Sequence, residues 1–302
     1  MKALRFVVCL ALAACGPAVV PPPSVQDVRV ADPTPDPQYL DFLGGEQTVK
    51  PGQDTMFCTH FRYDGPDIAF DSIDMQQGKW GHHAVLLAAK DPQEPGTVED
   101  CSNPADMAKY DVFATFGDPL PEGHAMLLPH GKTIVLQSHY LNAGQKELLV
   151  RDVLRVRTRP VADVQYWGSS FANAELTFTI PPHSTGKLVS ECVSPSDMKV
   201  LLLGGHMHEW GTKFATEVGP DRDHLAKVFS VDEWKPEFRD VPPVFLGYTN
   251  PMIWPRGSVV RTTCEWNNTT DQVLAFPEEM CATFGYADGI DVWSCNAQKI
   301  SN

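Results

Sequence analysis

From Gln38 onward the chain alternates between short apolar runs and breaks made of Pro, Gly and Asp. The runs are Thr55–Tyr63, Ala84–Ala89, Thr133–Tyr140 and Leu148–Val156, then Leu176–Ile180, Val200–Leu203, Phe214–Val218, Ser258–Trp266 and Val273–Phe276. Successive side chains of a strand point to opposite faces, so alternating runs of this length, bounded by turn residues, predict half-buried strands. Many such strands in sequence indicate antiparallel sandwiches or barrels, an all-β chain. A single short helix is expected around Pro104–Tyr110. The composition changes near Arg159-Pro160, and Pro181-Pro182 follows, which predicts two β domains, 38–160 and 161–302, with a boundary near residue 160.

The first residues change the picture from a plain soluble domain. Lys2 and Arg5 precede an apolar stretch, Phe6–Ala14, that is too short to span a bilayer comfortably. Leu12-Ala13-Ala14-Cys15 resembles a bacterial lipobox. That resemblance implies a signal peptide over 1–14, cleavage before Cys15 and lipidation of its thiol. Ordinary signal cleavage nearby is the alternative, and both readings export the chain to the cell envelope. Gly16 directly after the cysteine, with no Asp, points to the outer membrane where the cell has one. Residues 15–37 are rich in Pro and read as an extended tether.

Charge and cysteines narrow the field further. The formal charge is −14, and losing Lys2 and Arg5 takes it to −16. No basic stripe exists, which argues against nucleic acid as a partner. No second apolar stretch approaches membrane-spanning length, so contact with a membrane is expected through the lipid alone. Setting Cys9 and Cys15 aside leaves Cys58, Cys101, Cys192, Cys264, Cys281 and Cys295. An even count in an exported chain favours disulfides over thiolate metal ligation, and no CxxC pair is present. Six cysteines allow 15 pairings, and the count alone does not choose among them.

Candidate chemistry lies in four places. In Leu201–Phe214, an apolar run ends at Gly204-Gly205 and is followed by His206 and His208. On a strand these two imidazoles share a face, whereas on a helix they would stand about 200° apart. Trp80–Leu87 carries His82 and His83 at the mouth of an apolar strand. Adjacent strand residues face opposite ways, so both can reach one metal only at an irregularity, which Gly81 can supply, or through different ring nitrogens. Ile134–Tyr140 alternates as a half-buried strand with one cleft-facing or core histidine, His139. Met280 follows a Pro turn beside Cys281, where a core-filling role is the default.

The order HHAVLL, LQSHYLN, HMHEWG and CEW…EEMC resembles the copper type II, ascorbate-dependent monooxygenases, the family of the peptidylglycine α-hydroxylating and dopamine β-hydroxylating enzymes. The resemblance runs from about Asp41 to near the end and includes Phe57-Cys58 and Ile180-Pro181-Pro182. It implies two antiparallel jelly-roll-like sandwiches whose two copper ions face each other across a wet cleft. His82, His83 and His139 would form the electron-transfer copper site, and His206, His208 and Met280 the oxygen-activating one. The implied disulfides are Cys58–Cys101, Cys192–Cys295 and Cys264–Cys281. The implied reaction is hydroxylation of a C–H bond of a small organic substrate by O₂, with ascorbate or another one-electron reductant. The residue types suit copper: imidazole accommodates both oxidation states, while a thioether is soft and favours Cu(I).

The chain departs from the peptide-hydroxylating branch where that branch holds a substrate carboxylate. Gly204, Ala282 and Phe284 stand at those positions, which argues against a glycine-terminated peptide and for a more apolar pocket. Phe284 and Tyr286 are candidates for its lining. His60 is a candidate spare ligand near the first site, and His124, His130, His183 and His224 are expected at the surface. The competing reading is a copper-binding or copper-sensing envelope lipoprotein without turnover.

Overall fold

The computed structural model describes residues 25–114, 119–239, 241–296 and 298–299. The expected signal peptide, Cys15 and the first part of the tether lie outside the described residues. The protein is all-β, as expected. Its only helical elements among the described residues are short 3₁₀ turns, and the segment read as a helix is one of them, Pro104–Lys109, capped by Asn103. Among the described residues, no helix is long and apolar enough to cross a membrane.

Strands before residue 160 build a five-stranded sheet in the order Val98–Asp100, Asp54–Arg62, Thr133–Leu141, Gly81–Ala89, Tyr110–Ala114. It packs on the part of a ten-stranded sheet formed by Tyr39–Leu43, Val153–Arg159, Ile68–Gln76 and His124–Leu128. Phe42, Phe70, Ile73, Leu86, Leu136 and Leu154 fill the space between the two. After Arg159 the ten-stranded sheet continues with Tyr166–Ala174, Ala282–Asp288, Met198–His206 and Val244–Leu246. Packed on that part is a second five-stranded sheet containing Gly211–Gly219, Val259–Asn268 and Ser184–Val193, over a core of Phe171, Val200, Leu203, Trp254 and Val260. The halves are therefore joined by backbone: Tyr166 and Trp167 pair in parallel with His124 and Ala125.

Two of the expected strands are not strands. Leu176–Ile180 and Val273–Phe276 are loops linked by one isolated bridge, Ile180 to Leu274. Phe178, Ile180 and Leu274 are buried because these loops cap that end of the second sandwich, packing with Phe214 and Trp266, while Phe276 packs on the first five-stranded sheet and Val273 is exposed. Leu148–Val156 divides into Leu148–Val150 and Val153–Arg159. The tether is also shorter than expected. Gln26–Asp27 pairs in parallel with Leu148 and Leu149, and the amides of Gln26, Val28 and Val30 donate to the carbonyls of Glu147, Leu149 and Arg151. An extended, Pro-flanked segment with alternating valines is already in the conformation an edge strand needs.

All three expected disulfides are present: Cys58–Cys101, Cys192–Cys295 and Cys264–Cys281.

Candidate metal centre

The first histidine set depends on a break in strand register. His139 pairs with His83, but the next residue, Tyr140, pairs with Gly81, so the register skips His82 and the strand bulges there. A bulge re-aims one side chain relative to strict alternation, and here it turns His82 to the side of His83. Trp80 enters the strand with φ at 72°, in the left-handed region, which sets up the irregularity. One ligand-capable atom each of His82, His83 and His139 lie within 4.8 Å of one another. Nδ1 of His82 is 3.1 Å from Nδ1 of His139. The other ring nitrogen of His139, Nε2, is 2.5 Å from Oδ1 of Asp54.

The second set sits at the end of Met198–His206. Gly204 and Gly205 precede it for steric reasons. A Cβ on Gly205 would lie 2.3 Å from the Phe214 ring, and one on Gly204 would lie 2.6 Å from the Phe284 ring. The strand stops at His206, Met207 turns into the core, and His208 follows. Both imidazoles converge, with Nε2 of His206 and Nε2 of His208 3.2 Å apart. His208 is fixed from every side. Its Nδ1 donates to the carbonyl of Glu278 at 2.9 Å, its amide donates to Oε1 of Glu279 at 2.5 Å, and its carbonyl accepts from the Trp234 indole at 3.0 Å. Because a carbonyl only accepts, Nδ1 of His208 carries the proton and Nε2 is left with a lone pair.

Glu279 ties this set to Met280, since the same Oε1 that takes the His208 amide also takes the Met280 amide at 2.9 Å. Burial pushes the Glu279 carboxyl up to about 7, against the lowering effect of those two amides. The Met280 side chain is half-buried and packs with Phe276 on Met56, Leu87 and Val135, on the outer face of the first five-stranded sheet.

That packing brings the two sets together. The ring centroids of His82 and His208 are 6.1 Å apart, so the two sets approach each other through this pair of rings. The physical reason is the apolar face of the first sheet, which buries itself under Phe276, Met280 and Leu176 of the second half. Desolvation holds His83 and His208 well below the usual imidazole range, and the neighbouring histidines push them the same way. Both are therefore neutral near pH 7 and present lone pairs rather than protons. Converging imidazole nitrogens at these spacings fit a soft-to-borderline metal ion better than a hard one.

The remaining candidates divide. Phe284 pairs with Gly204 and shares a sheet face with His206, its half-buried ring filling the space above Gly204. Tyr286 is fully buried, its hydroxyl donates to the Ala125 carbonyl at 3.3 Å, and it belongs to the packing between the halves rather than to a pocket wall. His60 is buried and its Nε2 meets Glu99 at 2.9 Å, beside Tyr110. His130, His183 and His224 are exposed as expected, but His124 is not: it stacks on Tyr166 and lies 3.5 Å from Asp288. Asp54 and the Glu278 carbonyl were not anticipated. Asp54 is 85 residues from His139, so no spacing signal could have found it.

No family model matches the chain, and no curated protein matches it. A solved structure described as "Structure of infectious bursal disease virus Gx strain" is similar at 9% identity over 83% of this chain and 70% of that one, with a TM-score of 0.21. A score that low does not amount to a shared fold.

Proposed function

We propose that the protein is an exported copper-dependent monooxygenase that hydroxylates a C–H bond of a small organic substrate, using O₂ and an external one-electron reductant such as ascorbate. The observation that carries this reading is the convergence of two differently built imidazole sets, His82/His83/His139 and His206/His208, in one half-buried nest. Two such sets are more than simple metal capture needs, and a pair of one-electron centres is what a two-electron hydroxylation with a one-electron donor requires.

His82, His83 and His139 would hold one copper, and His206 and His208 with Met280 the other. Copper, when bound, supplies the redox chemistry toward O₂. The protein's own part is geometric. The bulge at His82 aims three imidazoles at one point, and Glu279 fastens the His208 and Met280 backbones to a single oxygen. Phe284 over Gly204 makes the surface beside His206 apolar, which suits an uncharged organic substrate. Three disulfides agree with an oxidising, exported setting, where lipid at Cys15 would provide the anchor.

The test is to load the mature chain with copper and zinc in competition, count bound metal, and follow O₂ uptake by the reduced protein with phenethylamines, lipids and short peptides. Two coppers per chain and substrate-dependent O₂ uptake are expected. One copper, or equal preference for zinc, overturns the reading. Two coppers with no uptake for any substrate would favour the copper-binding or copper-sensing envelope protein instead.

A further inference from the structure

The two histidine sets are held by different kinds of partner. In the second set, Nδ1 of His208 gives its proton to a neutral peptide carbonyl, that of Glu278, at 2.9 Å. In the first set, Nε2 of His139 faces a carboxylate oxygen of Asp54 at 2.5 Å. A carboxylate only accepts, so the His139 proton sits on Nε2, and Nδ1 is the nitrogen turned to His82 3.1 Å away. Asp54 stands on the strand next to that of His139, at the residue paired with Leu141, while His139 itself pairs with Met56. His139 is buried, with its side chain 3% exposed, whereas Asp54 is 33% exposed and anchored at the strand's start.

We propose that Asp54 is a positioning residue that fixes Nδ1 of His139 as the metal-binding nitrogen and makes the His82/His83/His139 copper the more easily oxidised of the two. This rests on the copper reading above. A carboxylate on the far nitrogen of a ligating imidazole fixes its tautomer and raises its donor strength. A stronger donor, with a negative charge behind it, favours Cu(II) over Cu(I). A peptide carbonyl behind His208 supplies neither the charge nor as strong a pull, so the second set stays the better home for Cu(I). The built-in difference sets the direction of electron transfer, from the first set to the second, without any need for different ring types.

The experiment has a metal-free arm and a copper arm. In the apo protein, nitrogen NMR of His139 should report a proton on Nε2 and a bare Nδ1, and Asp54→Asn should shift the balance towards the other tautomer. For the copper arm, a His206→Ala/His208→Ala background leaves the first set alone to be loaded. There Asp54→Asn should weaken Cu(II) binding by about 10–100-fold. Cu(I) binding should fall by less, so the midpoint potential rises, and Asp54→Glu should recover part of the loss. A thermal melt run beside each variant separates folding from binding. Equal loss of both oxidation states, or no change in either, overturns the inference and leaves the copper reading standing. Failure of the His206→Ala/His208→Ala protein itself to bind copper, with Asp54 intact, overturns both.

Discussion

The Cys264–Cys281 disulfide gives the most quantitative expectation. It closes a step of 17 residues between the strand Val259–Asn268 and the segment that carries Glu279 and Met280. In the loop-entropy description, a closure of this length removes denatured-state freedom equivalent to about 3 kcal/mol, against about 4 for Cys58–Cys101 and nearly 5 for Cys192–Cys295. Both cysteines are fully buried among Phe214, Trp266 and Leu274, so Cys264→Ala/Cys281→Ala adds little polar penalty. Urea unfolding of that variant should show stability lower by about 3 kcal/mol. Melting should fall by roughly 6–12 °C, at 2–4 °C per kcal/mol for a chain of this size. The loss should also be local. Met280 precedes Cys281, and Glu279 holds the His208 amide, so copper at His206/His208 should weaken while copper at His82/His83/His139 does not. A loss below about 1 kcal/mol with both coppers unchanged would refute the anchoring argument, leaving the packing of Phe276 and the Glu279 hydrogen bonds as sufficient to hold the segment.

Other substitutions isolate single elements of the centre. Gly205→Ala should destabilise by about 1–3 kcal/mol in thermal or urea unfolding, because its Cβ would lie 2.3 Å from the Phe214 ring, and Phe214→Leu should restore part of the loss. A neutral result would remove the steric account of the Gly204-Gly205 pair. His139→Ala should reduce bound copper from two towards one with the melting temperature nearly unchanged, as metal analysis and electron paramagnetic resonance would report; retention of two coppers would remove His139 from the set. Met280→Leu conserves volume and should cost under about 1.5 kcal/mol, while X-ray absorption of the reduced protein loses its copper–sulfur path. A sulfur path that persists would assign the ligand elsewhere.

The all-β class was legible because alternation is a property of half-buried strands, and Thr55–Tyr63 and Thr133–Tyr140 fall almost on Asp54–Arg62 and Thr133–Leu141. Alternation reports burial, however, and not backbone pairing. In Leu176–Ile180 and Val273–Phe276 the apolar Phe178, Ile180 and Leu274 belong to loops that cap a core, joined by one isolated bridge. Tyr166–Ala174 went unseen for the opposite reason: it buries Ser169, Ser170 and Asn173 in mid-sheet, where no apolar pattern marks it. The histidines of the centre were readable by type and spacing, and Gly81 marked the irregularity that the bulge at His82 realises. The approach of His82 to His208, and the pairing of His139 with Asp54, join residues far apart in sequence and follow only from tertiary packing. The cysteine pairings came with the family resemblance, since six cysteines alone leave 15 possibilities.

The parallel pairing of Tyr166–Trp167 with His124–Ala125 makes one sheet serve both sandwiches. Mechanically, that sheet is a spine and not a hinge pin. A rotation that parted the two halves would have to shear the Tyr166 and Trp167 ladder and the Tyr286–Ala125 bond at the same time. The 6.1 Å between His82 and His208 then behaves as a fixed gauge of the framework. Access to the centre has to come from the loops around it, such as the stretch that carries Phe276 and Met280, so changes in what the centre admits would be written in those loops while the sheet keeps the gauge.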